Sequence, residues 1–221
     1  MIGAILFGLG FRARSGKDTA AAEIKKQRGT EYKIDIIPFA KPLKEEVNKL
    51  AIEAGGMKNL FLPNYCFPKK GYVVTLPEWV VYDENPDMTD PYCVLGKQRK
   101  LLQWFGSDFR RADNEMYWID RHDEAVAKSD ADIILVPDMR FENEMAYIKE
   151  SGETVRVDRD SLPPATHISE TALANVSDED WSLILENNGS LEEFLLGAVT
   201  AFDELLLNFP QQRSVRQALG V

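Results

Sequence analysis

Six consecutive residues near the start of the chain, Arg14, Ser15, Gly16, Lys17, Asp18 and Thr19, have the types needed to hold an anion. A phosphate group is held best where backbone N–H groups converge at a helix N-terminus and a cation neutralises the outer oxygens. Gly16 permits close approach of the backbone, Lys17 supplies the charge, and the alanine-rich "KDTAAAEIKKQ" favours a helix from Lys17 onward. Residues 2–7 form an apolar run ended by glycines, the pattern of a buried strand. Strand, loop and helix are the context a phosphate loop requires. Two features depart from the usual pattern. Gly10 and Gly16 enclose five residues, one more than usual, and Asp18 stands where a Ser or Thr commonly reaches magnesium. Asp18 can hold a metal-bound water, or Thr19 can cap the helix and touch a phosphate. Arg12 and Arg14 flank the loop, as phosphate contacts or as solvated charges. The alternative for the whole stretch is a capped strand–helix turn.

Further candidates lie downstream. Asp138 ends the apolar run "IILVP", where a metal-organising carboxylate sits in nucleotide-binding sheets, with Arg140 two residues on. Its alternative role is to cap the helix "FENEM". Arg110 and Arg111 are adjacent, so on a helix they point about 100° apart. One can grip an acceptor phosphate while the other reaches between donor and acceptor; the alternative is surface pairing with Asp108 and Asp113. Arg159 ends the stretch "VRVDR", at the exit of its strand, where it can reach donor phosphates as a lid arginine. His122 lies on a polar helical stretch and reads as a surface residue. Of the tryptophans only Trp104 stands out as a base-stacking candidate, because it precedes Arg110 and Arg111 in one motif. No His/Cys/Asp set has zinc spacing.

The elements that must position these residues alternate. Apolar runs in "YKIDIIPFA", "DADIILVPD", "ETVRVDR" and "WSLILENN" read as strands. "PLKEEVNKLAIEAGG", "FENEMAYIKESG" and "SLEEFLLGAVTAFDELLLNF" read as helices, the last capped by Ser190 with Glu193 three residues on. Alternation predicts an α/β fold, a parallel sheet of about five strands with helices on both faces. The chain reads as one domain over 1–221. Residues 55–96 are rich in proline and aromatics without a clean period; they read as an insertion or flap over the site, or as a plain long loop. Residues 210–221 read as a loose C-terminal tail.

Composition narrows the partners. The chain has 221 residues, 28% charged, with a formal net charge of -10. That balance argues against direct binding to nucleic-acid backbone, while a local Arg/Lys cluster can still hold a small anion. Cys66 and Cys93 have no CxxC spacing and read as reduced thiols. The apolar start is too short for a membrane span and lacks a basic flank, so a cytoplasmic location is expected.

In chain order, "ARSGKDTAA", "PFAKPLK", "LLQWFGSDFRR…YWIDR", "DMRFENE", "HISE" and "NNGSLEEF" resemble the deoxynucleoside monophosphate kinases of bacteriophages, members of the P-loop kinase superfamily. The likeness runs over about residues 1–209, weakest at 55–96. It implies a P-loop kinase fold and ATP- and Mg²⁺-dependent phosphoryl transfer to a deoxynucleoside 5'-monophosphate. It implies site roles for Lys17, Arg110, Arg111 and Asp138. It places Phe39, Lys41 and Lys44 on the acceptor side, Lys44 to meet a substrate phosphate and Phe39 to pack on the base or fill the core. It brings His167, Ser169 and Glu170 near the site, although a lone histidine is more often structural. Partners would be ATP and a dNMP, with a homodimer left open. Two other readings stay open: a P-loop kinase for another small acceptor, such as dephospho-coenzyme A or a nucleoside, and a nucleotide-binding module that is not a kinase.

Overall fold

The structure is a computed structural model that describes residues 4–69 and 71–209. The expected tail at 210–221 lies outside the described residues. The chain divides into two compact units, Met1–Phe39 with His122–Val221, and Ala40–Arg121.

The first unit is built on strands β1 (Ile5–Gly10), β2 (Ile34–Ile36), β5 (Ile133–Met139), β6 (Gly152–Asp158) and β7 (Leu183–Glu186). They form one sheet in the order β2-β5-β1-β6-β7, and every pairing is parallel. β1 is central and buried along its whole length, which is why its sequence is a continuous apolar run. Side chains alternate across the sheet. Ile5, Phe7 and Leu9, with Ile133 and Leu135, pack with residues of α1 (Lys17–Arg28) and α7 (Leu191–Asn208). α5 (Glu142–Ser151) packs against β1 and β6, where its Ile148 comes within 3.2 Å of the place a Gly8 side chain would take. The sheet has the expected five parallel strands, with helices around it.

The second unit has a core of its own. It holds α2 (Ala40–Glu53), a 3-10 turn at Met57–Phe61, and the antiparallel hairpin β3 (Phe67–Lys69) and β4 (Tyr72–Val74). α3 (Arg99–Gln103) then runs directly into a π-helical stretch, Trp104–Arg111. α4 (Tyr117–Val126) carries the chain back to the first unit. Residues 55–96 are therefore part of a larger unit, and they help build its interior. Met57, Leu60, Phe67, Val80 and Cys93 are buried with Phe105 and Phe109. Polar side chains bind backbone groups where no repeating ladder does so: Gln98 accepts from the Asp83 N–H at 2.8 Å and donates to the Asp83 carbonyl at 2.9 Å. Both cysteines are free thiols, and burial pushes Cys93 up to about 11. No helix among the described residues is long and apolar enough to cross a membrane.

Candidate functional site: a phosphate loop and a cationic cluster

β1 ends at Gly10, where a Cβ would lie 2.6 Å from Met139 and 2.8 Å from Trp181. The chain then makes a tight loop in which two non-glycine residues, Phe11 (φ 90) and Arg14 (φ 64), take positive φ. Strain of this kind persists only where its surroundings hold it, and it gathers at ligand sites. Arg140 donates to the Phe11 carbonyl at 3.0 Å, and Arg12 donates to the carbonyl of Pro163. Glu170 accepts from the Ala13 N–H at 3.3 Å. Asn187, at the end of β7, donates to the Ser15 carbonyl at 2.8 Å. Gly16 precedes α1 with φ 111, and a Cβ there would lie 2.6 Å from Asn187.

Lys17 opens α1 and is 3% exposed. Its ammonium group donates to the Arg12 carbonyl and, at 3.2 Å, to the Ser15 hydroxyl. Burial, and then the Arg140 charge, push the lysine down to about 7, against the pull of Asp18, Asp138 and Glu170. Four other expected site residues thus act on Lys17 through their charges. Asp18 and Thr19 are exposed on the first turn of α1. Asp138 Oδ1 accepts from the Phe39 N–H at 2.8 Å. Glu144 accepts from the Arg140 N–H at 2.7 Å and the Phe141 N–H at 3.2 Å at the start of α5.

Other expected residues stand differently. Phe39 is 3% exposed and its ring lies 4.4 Å from that of His122, so it is a core residue. His122 is not on the surface: it is fully buried, because the polar stretch around it turns one face into the first unit. Arg159 is exposed and donates to Ser161 at 3.2 Å. His167 caps the short α6 (Ile168–Thr171), accepting from the Ser169 N–H at 3.2 Å.

In the second unit Trp104 is 5% exposed, packed against Phe67 and Phe109 with centroids 4.9 and 5.1 Å apart. It fills the core and offers no open face to a base. Arg110 pairs with Glu46 and lies over the rings of Phe105, Phe109 and Tyr117 at 5.0–5.3 Å. Arg111 is half-buried beside it. Lys44 and Lys97 each approach Asp90 at 2.8 Å, and Lys41 and Lys44 lie over the Tyr92 ring at 5.7 and 5.4 Å. Burial works against the charge of Asp90, but the two ammonium groups outweigh it and hold the carboxyl at about 2. The sequence singled out neither Glu46, Asp90 nor Asn187. For Asn187 a signal was present, since it sits between a strand and the cap of α7.

A family model described as deoxynucleotide monophosphate kinase matches residues 79–196, more than half of the chain. The chain belongs to this family. A curated protein of Acanthamoeba polyphaga mimivirus, provisionally named deoxynucleotide monophosphate kinase, is 27% identical over 215 residues, covering 90% of this chain and 96% of its own length. A solved dephospho-CoA kinase from Campylobacter jejuni has a TM-score of 0.45 at 14% identity, covering 93% of this chain and all of that one.

A deoxynucleotide monophosphate kinase family member is expected to use magnesium. Among the described residues no group of three or more His, Cys, Asp or Glu forms a preassembled metal site. Magnesium is usually held by one or two carboxylates and by substrate phosphates, with waters completing the shell. Asp138, Asp18 and Thr19 supply hard oxygen donors whose charges or position surround Lys17, so the donor set fits an ion that arrives with a nucleotide.

The depressed Lys17 gives this family member a proton linkage. If Lys17 meets a nucleotide's phosphates, they favour the charged ammonium, and binding would raise the lysine from about 7. Affinity is full below that value and falls as pH rises through it. At about pH 8 the free loop is mostly neutral at Lys17, and binding of a non-hydrolysable ATP analogue takes up about 0.9 proton. Calorimetry in buffers of different ionisation enthalpy measures this uptake; an enthalpy independent of buffer contradicts it.

Proposed function

We propose that this protein transfers the γ-phosphoryl group of ATP to a deoxynucleoside 5'-monophosphate, giving ADP and the diphosphate. The observation that carries the reading is Lys17, buried after Gly16 at the mouth of α1 with Arg140, Asp18 and Asp138 acting on it. The family description supplies the acceptor class, and the matched stretch contains Lys97, Arg110, Arg111, Asp138, Arg140 and Arg159.

In the transfer an oxygen of the acceptor phosphate bonds to the γ-phosphorus as the bond to the β–γ bridging oxygen breaks, and ADP leaves with that oxygen. Such chemistry depends on positioning and on neutralising charge. The N–H groups of the loop at 11–16 hold the donor phosphates, Lys17 meets their outer oxygens, and Arg12, Arg14 and Arg159 add positive charge. Lys44, Arg110 and Arg111 serve the acceptor. Asp138, with Asp18 or Thr19, would hold magnesium, which would supply positive charge against the phosphates. The test is ADP release with ATP and a panel of dNMPs, NMPs, nucleosides and dephospho-coenzyme A. Turnover confined to dNMPs supports the reading; turnover confined to another acceptor, or none, removes it.

Arg110 and Arg111 are expected to separate in this assay. Arg110→Ala removes the ion pair from Glu46, leaving it the Tyr117 hydroxyl at 3.1 Å, and strips a cation from three rings, so it lowers Tm as well as activity. Arg111→Ala raises KM for the monophosphate, or lowers kcat, by more than any change in Tm accounts for. Wild-type kinetics for Arg111→Ala would return it to a surface role.

A further inference from the structure

His122 is a buried titratable group that the reaction above does not use. Phe39 is the last residue of the first unit before the chain enters the second, and His122 is the first after it returns. The imidazole is fully buried. Its Nε2–H donates to the Ile37 carbonyl at 2.8 Å, while Nδ1 is buried with no hydrogen-bond partner. One face lies on Phe39, and Tyr147 of α5 stands edge-on at 5.7 Å. A Phe or Leu would fill this space without burying an unmatched ring nitrogen, so packing alone does not account for the residue type. The Nε2–H donor does.

What that donor holds is specific. Ile37, Pro38 and Phe39 follow β2 and are all buried. The Ile37 N–H donates to the Leu135 carbonyl at 3.0 Å, Pro38 stiffens the middle, and the Phe39 N–H donates to Asp138 Oδ1 at 2.8 Å. One imidazole therefore grips both ends of a stiff three-residue segment, Ile37 by hydrogen bond and Phe39 by ring contact. That segment's last amide sits on the Asp138 carboxylate. Burial lowers the imidazole below its ordinary range, outweighing the Ile37 hydrogen bond and the charges of Asp138 on β5 and Asp123 on α4.

We propose that His122 is a positioning residue for phosphoryl transfer: through Ile37, Pro38 and Phe39 it orients the Asp138 carboxylate. Its effect on rate rests on the kinase reading; its effect on the Phe39 amide does not. The test uses the full chain and three variants. His122→Phe keeps the ring and removes the donor. His122→Gln keeps a side-chain N–H. Asp138→Asn weakens the Phe39 bond from its other end. Hydrogen exchange at the Phe39 amide in the ligand-free protein is expected to quicken about tenfold in His122→Phe and in Asp138→Asn, and to return toward wild type in His122→Gln. With a dNMP that the wild type accepts, kcat of His122→Phe is expected to fall about tenfold with KM for both substrates within about twofold, and His122→Gln to recover most of it. Unchanged Phe39 exchange in His122→Phe overturns the inference, as does a loss in every variant that merely follows Tm. A wild-type protein inactive on every dNMP, with Phe39 exchange responding as described, removes the kinase reading and supports the hold on Asp138.

Discussion

Lys17→Met lowers kcat/KM for phosphoryl transfer by about 10²–10³, or about 2.7–4 kcal/mol, while the protein stays folded. The lost group is the point charge that, in the proposed function, meets the outer phosphates, and it opens α1. The same substitution makes the ligand-free fold more stable at neutral and low pH. The lysine sits near 7 in the fold against 10.5 for its ordinary value, because burial penalises its charge. Between those values the unfolded chain keeps the proton that the folded chain gives up. Wild-type stability therefore rises with pH across that window, and the cost of burying the charge is complete below about 7. It amounts to at most about 5 kcal/mol, offset in part by the bonds from the ammonium group to Arg12 and Ser15. Thermal melts across pH check this: the Tm advantage of Lys17→Met should be largest below about pH 7 and shrink toward pH 10. Near-wild-type turnover in the folded variant contradicts the phosphate-loop assignment.

Gly16→Ala has the second large effect, and it acts through the backbone. Gly16 has φ 111, a conformation that costs an L-residue roughly 1–2 kcal/mol. The new Cβ would also lie 2.6 Å from the Asn187 amide nitrogen and 2.9 Å from the Phe194 ring. Asn187 holds the Ser15 carbonyl, and Phe194 is 3% exposed in the core against α1. To relieve the contact, either the loop must leave Asn187 or α7 must shift. Destabilisation of about 2–4 kcal/mol follows, about 2–4 °C of Tm for each kcal/mol in a chain of this size. Nucleotide affinity should fall further than stability, because the loop N–H groups lose their common aim. An alanine variant with wild-type Tm and wild-type affinity for a non-hydrolysable ATP analogue would show that the Asn187 contact constrains nothing.

Much of the first unit was legible because its signals are local. The apolar run of β1, the glycine before α1 and the lysine that opens it, the run "IILVP" and the Ser190–Glu193 cap each lie within a few residues of the partners that give them meaning. In α7 the Ser190 side chain accepts from the Glu193 N–H at 3.2 Å, as the spacing alone required. The second unit was not legible in this way. Its interior mixes a short hairpin, a π-helical stretch and polar side chains bound to backbone, none of which has a period that a sequence displays. So 55–96 read as an insertion or a long loop, although Met57, Leu60, Phe67, Val80 and Cys93 within it are interior.

The sequence by itself determined a parallel sheet with a glycine–lysine turn into α1 after its first strand, and it marked Lys17, Asp138 and Arg140 as candidates, since each stands at a strand end or helix start fixed by local pattern. Tertiary structure decided what holds them. Asn187 reaches Ser15 across 172 residues, and His122 reaches Ile37 across 85. It also decided that Phe39 and Trp104 are interior and that Lys44 faces Asp90. The physical reason is common to all of these. A hydrogen bond or ion pair between distant residues is set by where the backbone returns, and single positions carry no mark of the partner that folding will bring.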